Sequence, residues 1–392
     1  MMNAVPLQAI FRSSQISTST EDRLVYSRDA SRLEGECLAV VFPTHCEQVA
    51  ALVDWAGHEE VDLVPRGAGT GLCGGAVPQR SVVVDLSRFT QLGLVDVERR
   101  TVSVGAGVAL GNLNRQMAVH DLSLPVIPGS HRAATIGGMI ATNAAGLHAV
   151  RYGRMGEWVR ELTLVDGLGN VERMNGNTLD DVVGREGVTG FVVEATLRLA
   201  PRPAERTLSL QAFDDESALL RQRDRWLRER EVTALEHLNR HAARAIGWEP
   251  RPHLLVEFDG PGGETSDATR VAALWKARDG LYPILAQSGH PVIEDPQADG
   301  DGLSALLAWL DGEGIPAFGH LGVGIVHPCF RVKDERLATL YERVAGWGGR
   351  VSGEHGIGLK KKAWVDAAFR AEIETLKATY DPLNIINRGK LC

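Results

Sequence analysis

Cysteine is scarce and unpaired in this chain of 392 residues: Cys37, Cys46, Cys73, Cys329 and Cys392 are odd in number, widely scattered and never in a C-x-x-C pair. Such spacing signals neither a disulfide framework nor an iron–sulfur site, and it fits a reducing compartment. Positive charge is also in short supply. Lys and Arg number 42 against 50 Asp and Glu, a net charge of -8. A nucleic-acid partner needs the opposite, an excess of Lys and Arg on one face. The one basic run, Lys360 to Lys362, suits a solvated helix face or a small collar for an anionic substrate. No stretch reaches the roughly 18 apolar residues of a membrane span, and MMNAVPLQAIFRSSQ carries no cationic region ahead of its apolar residues. Internal repeats and low-complexity segments are lacking too. The expectation is a soluble, cytoplasmic protein with no nucleic-acid partner and no membrane span.

What is present is apolar patterning for two or three cores: 44% of residues are hydrophobic, and domains usually hold about 100 to 200 residues. THCEQVAALVDWAGHEE sets Thr44 and Glu47 at capping-box spacing and Val49, Leu52, Val53 and Ala56 on one stripe, which predicts a helix over 45–58. A short strand at VDLVP, a glycine-rich turn from Arg66 to Gly75 and the strand SVVVDL follow in a span too short for a crossover helix. Strands are read at TVSVGAGV, RELTLVDG, NVERM and GFVVEATLRLAP, and a helix at ALGNLNRQMAVHD with Leu110, Leu113 and Met117 aligned. Pro201 and Pro203 mark a boundary. Beyond them come the strand RTLSLQAF, the helix DDESALLRQRDRWLRER with Asp214 as cap, the strands TALEHL and HLLVEF, and the helix SDATRVAALWKARDG. The fold class is α+β.

PRGAGTGLCGGAVP contains a formal G-x-G-x-x-G, Gly69 to Gly74, yet Pro78 and a strand follow where a Rossmann turn would open a helix. Five glycines within nine residues can instead bring backbone N–H groups directly onto a phosphate, as a nest. PGSHRAATIGGMIATNAAGLHAVRYG repeats that chemistry, with Gly137 and Gly138 for close approach and Ser130, Thr135, Thr142 and Asn143 as hydrogen-bonding groups. Two such loops suit a long diphosphate cofactor.

These two stretches, followed by GREGVTGFVVEATLRLAP, closely resemble in order and separation the flavin domain of FAD-linked oxidases of the vanillyl-alcohol oxidase and p-cresol methylhydroxylase (PCMH) type. SGEHGIGLKKK and LKATYDPLNIINRGK resemble the ends of the D-lactate dehydrogenase, glycolate oxidase and D-2-hydroxyglutarate dehydrogenase branch. LWKARDGLYPILAQSGHPVIEDP with FGHLGVGIVH is nearest to large bacterial members that carry a fused iron–sulfur domain. The resemblance implies a two-subdomain PCMH-type FAD domain over 1–203 and a smaller α+β substrate (cap) domain with an antiparallel sheet over 204–345. The segment 346–392 would complete the active site and pack on the FAD domain. It also implies that Arg66, Gly67, Ala68, Gly69, Thr70, Gly71 and Gly74 hold the diphosphate of FAD. Thr135, Ile136, Gly137, Gly138, Thr142 and Asn143 would run along the flavin, and Gly187, Gly190 and Phe191 would meet its ribityl or isoalloxazine portion. No histidine lies in the first loop, where some relatives attach FAD covalently, so the expected FAD is non-covalent.

PAFGHLGVGIVHP sets His320 and His327 an odd number of residues apart, so an unbroken strand would point them to opposite faces; Gly322 and Gly324 permit a bend. Read from residues alone, they are either ordinary hydrogen-bonded histidines or ligands. The resemblance makes His320, His327 and Glu354 ligands of a divalent metal, Zn²⁺ or Mn²⁺, and His355 the general base in oxidation of a D-2-hydroxy acid by hydride transfer to flavin N5. Histidine suits that task, since its ordinary pKa of about 6.5 lies near working pH. Arg278 would grip the substrate carboxylate. The roles of His148, His290, Glu294 and Asp295 are open. The sequence departs from the branch at Val323, Gly324 and Ile325, where many relatives have Asp-Gly-Asn, and at Pro328, where some carry an asparagine. With no iron–sulfur motif here, electrons would leave to a separate iron–sulfur protein or flavoprotein, a quinone or oxygen. Two other readings are a metal-free FAD-linked oxidase of sugars or other alcohols, and a non-catalytic flavin-binding subunit of a larger redox complex.

Overall fold

Val82, Val83 and Val84 form the apolar centre of the strand Gln79–Asp85, and all three are buried. A run apolar at every position suits a strand covered on both faces, the situation of a central parallel strand. In the computed structural model, which describes residues 7–229 and 231–392, this strand lies between Glu36–Val41 and Leu63–Arg66 and runs parallel to both. Val82 and Val84 pack with Val49, Leu52, Val53 and Ala56 of the helix Cys46–Glu59, the stripe read from the sequence. Val83 faces the other side with Cys37 and Val40. The capping box expected from Thr44 and Glu47 does not form. His45 is the N-cap, and the buried Gln48 side chain instead accepts the Thr44 N–H at 3.0 Å. The glycine-rich residues 67–78 contain no helix, as expected, and they alone make the crossover between two parallel strands.

A second sheet, in the order Thr101–Gly105, Phe191–Arg198, Val159–Val165, Val171–Asn175, is antiparallel throughout. Its core takes in Leu110, Leu113 and Met117, the aligned face of the helix Leu110–Met117, together with Ile136, Met139 and Ile140. Both sheets belong to one compact unit, made of the chain up to Ala144, Arg154–Arg202 and His355–Cys392. After the helix Ala367–Tyr380, the chain end pairs with the first sheet: Leu63 donates its N–H to Ile385 at 2.7 Å, and Asn387 donates to Leu63 at 2.9 Å. Ile385 and Ile386 are buried there.

The second unit consists of Ala145–Gly153 and Pro203–Glu354. Its six-stranded sheet runs Arg206–Ala212, His253–Asp259, Val232–Leu238, Ala317–His320, His327–Phe330, Val292–Ile293, every neighbour antiparallel. Leu235, Leu254 and Val256 turn one face toward Leu219 and Trp226 of the helix Glu216–Glu229, Leu303 to Leu310 of Gly300–Gly312, and Leu340 and Val344 of Arg336–Gly346. Asp215, not Asp214, caps the first of these helices, accepting the Ala218 N–H at 2.7 Å, while Asp214 pairs with Arg251. A linear division at residues 203 and 345 misses the excursion Ala145–Gly153. That segment is tied to the sheet by His148 Nε2 to Glu257 Oε1 at 2.9 Å and by the Tyr152 hydroxyl to Asp259 at 2.8 Å. The α+β class and the antiparallel sheet agree with the sequence reading. Among the described residues, no helix is long and apolar enough to cross a membrane.

The chain end is therefore part of the first core. Ile386→Ala should lower the unfolding free energy by about 2–4 kcal/mol through lost burial and the cavity left behind. Urea unfolding of the purified protein followed by circular dichroism measures this, and an unchanged midpoint would show that the pairing with Leu63 does not support the sheet.

Candidate active site

The strand Leu63–Arg66 delivers the first glycine stretch at its carboxyl end, the end at which parallel sheets bind ligands. Arg66 donates Nη1 to the Arg28 carbonyl at 2.7 Å and lies 5.0 Å from the centroid of the Tyr26 ring. The amides of Ala68, Gly69, Thr70 and Gly71 donate no hydrogen bond within the described residues, and a Cβ at Gly71 would meet nothing within 4 Å. Free loop amides beside open space fit an anion such as a diphosphate. The second stretch touches the first only because residue 67 lacks a side chain: a Cβ on Gly67 would stand 2.2 Å from Thr135 Oγ1. A Cβ on Gly187 would likewise stand 2.8 Å from Pro65. All three stretches thus meet at the end of one strand.

Within them, side chains divide by burial. Thr135 accepts the Gly138 N–H at 3.4 Å, Thr142 donates to the Gly138 carbonyl at 3.1 Å, and Asn143 accepts the Gly156 N–H at 2.9 Å. Ile136 and Phe191 are wholly inside the core, Gly137 packs on Ala106, and Gly190 packs on the Val165 carbonyl. Ile136 and Phe191 thus act through packing, as parts of the core.

Glu186, absent from the sequence reading, fastens the stretches together. Its buried carboxylate accepts the N–H groups of Ile357 at 2.6 Å and Gly358 at 2.9 Å, and its carbonyl accepts Asn387 Nδ2 at 2.7 Å. Lys390, also buried, donates Nζ to the Gly75 carbonyl and to Asn387 Oδ1, each at 2.7 Å. Burial pushes Glu186 up to about 7, against the pull of the Ile357 and Gly358 amides and of Lys390 and Lys361. Burial likewise brings Lys390 down to about 7.

In the second unit, the odd spacing of His320 and His327 is resolved by a hairpin. Ala317–His320 ends in a 3-10 turn over Leu321–Val323, Gly324 adopts φ +70°, and His327–Phe330 returns antiparallel with Phe318 opposite His327. Phe318 and His320 share a strand face, so His327 joins them there. The imidazoles stand perpendicular with centroids 5.2 Å apart. His320 Nε2 lies 3.6 Å and His327 Nε2 3.2 Å from one oxygen of Glu354, and one ligand atom from each residue falls within 4.8 Å of the others. Behind the rings, His320 Nδ1 meets Glu236 Oε1 at 2.7 Å and His327 Nδ1 meets the Glu294 carbonyl at 3.2 Å. Metal-ligating histidines are characteristically oriented in this way, one nitrogen held and the other presented. The donor set fits a divalent cation.

Glu354 is placed by Asp295, whose Oδ2 accepts the Ser352 hydroxyl at 2.9 Å and the N–H groups of Gly353 at 2.9 Å and Glu354 at 2.7 Å. His355, the expected base, is the next residue in the chain and is partly buried. Arg278 is already engaged: Nε and Nη2 reach Glu236 Oε2 at 2.7 and 2.5 Å, and the guanidinium lies 5.1 Å from the Phe318 ring centroid. Burial alone would raise Glu236, but Arg278 and His320 outweigh it and hold this carboxyl below the ordinary range. Burial would lower His320, yet Glu236 and Glu354 raise it to about 9. His290 lies elsewhere in the second unit, close to the charges of Arg331, Arg336 and Asp334.

Residues 37–175 match the FAD binding domain, and residues 202–391 match the C-terminal domain of FAD linked oxidases. D-lactate dehydrogenase of Archaeoglobus fulgidus is 30% identical across 91% of this chain and 91% of that protein. The chain belongs to the FAD-linked oxidase family. Glycolate oxidase subunit GlcD of Bacillus subtilis is 28% identical, covering 95% of this chain and 93% of that protein. D-2-hydroxyglutarate dehydrogenase of Xanthomonas citri pv. viticola is 29% identical, covering 98% and 96%. A solved structure of alkyldihydroxyacetonephosphate synthase shares the fold, with a TM-score of 0.76 at 17% identity over 99% of this chain and 84% of that one. The protein is accordingly an FAD-dependent oxidoreductase of the D-lactate, glycolate and D-2-hydroxyglutarate dehydrogenase branch.

In this family member, Glu186, Glu236 and Asp295 carry parts of the site that the motifs did not assign. Glu236 stands in a strand whose seven residues are all buried, where a carboxylate requires partners. Glu186 makes a pH-dependent contribution of definite sign. Its folded pKa, about 7, lies above the ordinary 4.5, so its contribution to stability is complete below about 4.5 and is lost as pH rises through about 7. Melting temperatures of wild type and Glu186→Gln from pH 4.5 to 8 should show a smaller fall in the variant; parallel curves would contradict the assignment.

Proposed function

We propose that the protein oxidises a D-2-hydroxy acid of the lactate, glycolate or 2-hydroxyglutarate type to the 2-oxo acid, with non-covalent FAD and a divalent cation on His320, His327 and Glu354. The observation that carries this reading is the convergence of two Nε2 atoms on the Glu354 carboxylate with both Nδ1 atoms held from behind. Three protein ligands leave coordination positions for substrate. Zn²⁺ or Mn²⁺ bound there would take up the substrate's hydroxyl and carboxylate oxygens and make the hydroxyl more acidic. FAD, when bound, supplies N5 as the hydride acceptor.

The chain's own residues divide the remaining work. His355 removes the hydroxyl proton as the hydride departs from the same carbon. Arg278, with Nε and Nη2 committed to Glu236, keeps Nη1 for a substrate carboxylate. Arg66, Gly67, Ala68, Gly69, Thr70, Gly71 and Gly74 hold the diphosphate. Thr135, Gly138, Thr142 and Asn143 run along the flavin over Ile136 and Gly137, and Gly187 and Gly190 border its ribityl or isoalloxazine portion with Phe191 beneath. The first unit is then the FAD domain and the second the substrate cap, with 346–392 completing the active site. Ile325 is buried and Gly353 packs on it, so the apolar residues between the histidines shape the hairpin. Electrons would pass on to a separate iron–sulfur protein or flavoprotein, a quinone or oxygen.

Anaerobic mixing with a D-2-hydroxy acid should bleach the bound flavin. Prior chelation should abolish the bleaching, Zn²⁺ or Mn²⁺ should restore it, and His355→Ala should slow it by about 10²- to 10⁴-fold. A metal-replete flavoprotein that stays oxidised with lactate, glycolate and 2-hydroxyglutarate would exclude this reading. Acid precipitation should release the flavin to the supernatant; a yellow pellet would show a covalent bond.

A further inference from the structure

Glu236 serves two groups with one carboxylate. Oε1 meets His320 Nδ1 at 2.7 Å, while Oε2 takes both Nε and Nη2 of Arg278. It can do so because the strands Val232–Leu238 and Ala317–His320 pair with Glu236 directly opposite His320, which puts the two side chains on one face of the sheet. Glu236 is wholly buried, and neither partner is more than slightly exposed, so water does not compete for these bonds. Arg278 can only donate hydrogen bonds, and a neutral imidazole carries its proton on one nitrogen alone. A carboxylate that accepts from both neighbours therefore keeps a proton on His320 Nδ1, so that the neutral ring a cation would bind offers Nε2 toward Glu354.

We infer that Glu236 is a positioning residue that sets the tautomer and orientation of His320 for cation binding and holds Arg278 beside it, so that the metal and the substrate carboxylate are recognised through one shared side chain. This inference rests on the metal-assisted reading of the site. It differs from it in assigning work to a residue that touches neither cation nor substrate, and in making His320 and Arg278 depend on one carboxylate.

The dependence gives an unusual expectation. In Glu236→Gln, Arg278 still requires an acceptor, so the amide oxygen turns to Arg278 and the amide NH₂ turns to His320 Nδ1. A donor facing Nδ1 drives the imidazole proton to Nε2, the atom that would bind the cation. In the double variant Glu236→Gln with Arg278→Met the amide is free to turn over, and its oxygen can again accept from Nδ1. The second substitution should thus restore what the first removes.

The test is Mn²⁺ or Zn²⁺ affinity of the FAD-loaded protein, measured by competition with a fluorescent chelator, with the melting temperature and flavin spectrum recorded for each variant. Glu236→Gln should weaken binding about 10- to 100-fold. Arg278→Met alone should stay within about threefold of wild type, and the double variant should recover most of the loss, whatever its melting temperature. Wild-type affinity in Glu236→Gln, or a double variant that binds no better than Glu236→Gln, would overturn the assignment while leaving the metal reading intact. If Glu236→Gln does not yield folded protein, the decision falls to the double variant against Arg278→Met, since weakening of about tenfold or more on adding the glutamine would overturn it. Absence of stoichiometric metal binding in wild type would remove the metal reading and this inference with it.

Discussion

The antiparallel register of Val232–Leu238 against Ala317–His320 is the constraint on which the second unit's site depends. Side chains on a strand alternate with a period of two, so a slip of one residue would turn Glu236 into the helix-covered core and away from His320. The register is held by that same core. Leu235 and Leu254 lie on the helix-covered side with Ala317, and His237 on that side pairs with Glu216 at 2.9 Å. Alternation then leaves Glu236, Phe318, His320 and His327 on the remaining face. The core thus sets the ionic site before any ligand arrives.

Placing charge there is costly. Removing ions from water costs several kcal/mol each, and a buried ion pair is often no more stabilising than apolar residues of the same size. Glu236, His320, His327, Glu294 and Asp295 are all buried in a unit whose sheet could have been apolar on both faces. What makes the arrangement tolerable is the number of donors that each acceptor receives. Asp295 Oδ2 accepts three, and Glu236 accepts from two side chains through three short contacts. A network satisfied to this degree is rigid, and rigidity is what a set of converging ligand atoms requires.

The glycine stretches were legible in the sequence because their chemistry is local. A turn that must expose amides needs several glycines close together, and five of them stand between Gly67 and Gly75. The hairpin around His320 and His327 was half legible: Gly324 allowed a bend, but only the register shows that both imidazoles reach one face. Glu236 escaped, and the role of Asp295 stayed open, because their partners lie 84 and 59 residues away. Nothing within TALEHL or VIEDP distinguishes a bridging carboxylate from a solvated one. The excursion Ala145–Gly153 escaped for the same reason, since His148 and Tyr152 meet carboxylates 109 and 107 residues later. Local patterns identified the parts that bind by backbone; the parts that bind by side chain depend on pairing between distant strands.

The sequence S-G-E-H-G-I-G carries a second economy. Glu354 ends the second unit and His355 opens the last segment of the first. Consecutive Cα atoms stand about 3.8 Å apart across a trans peptide, so the backbones of the proposed ligand and the proposed base are adjacent by covalent connection alone. Each side of this junction is fixed within its own unit by a buried carboxylate. Asp295 accepts the Glu354 N–H at 2.7 Å, and Glu186 accepts the Ile357 N–H at 2.6 Å. Only His355 and Gly356 lie between these anchors, and Gly356, at φ +86°, takes the one conformation there that a side chain would resist. A Cβ at that position would also strike the Glu186 carboxylate at 2.5 Å. The glycine after the histidine is thus required twice over, by its backbone angle and by the anchor beside it.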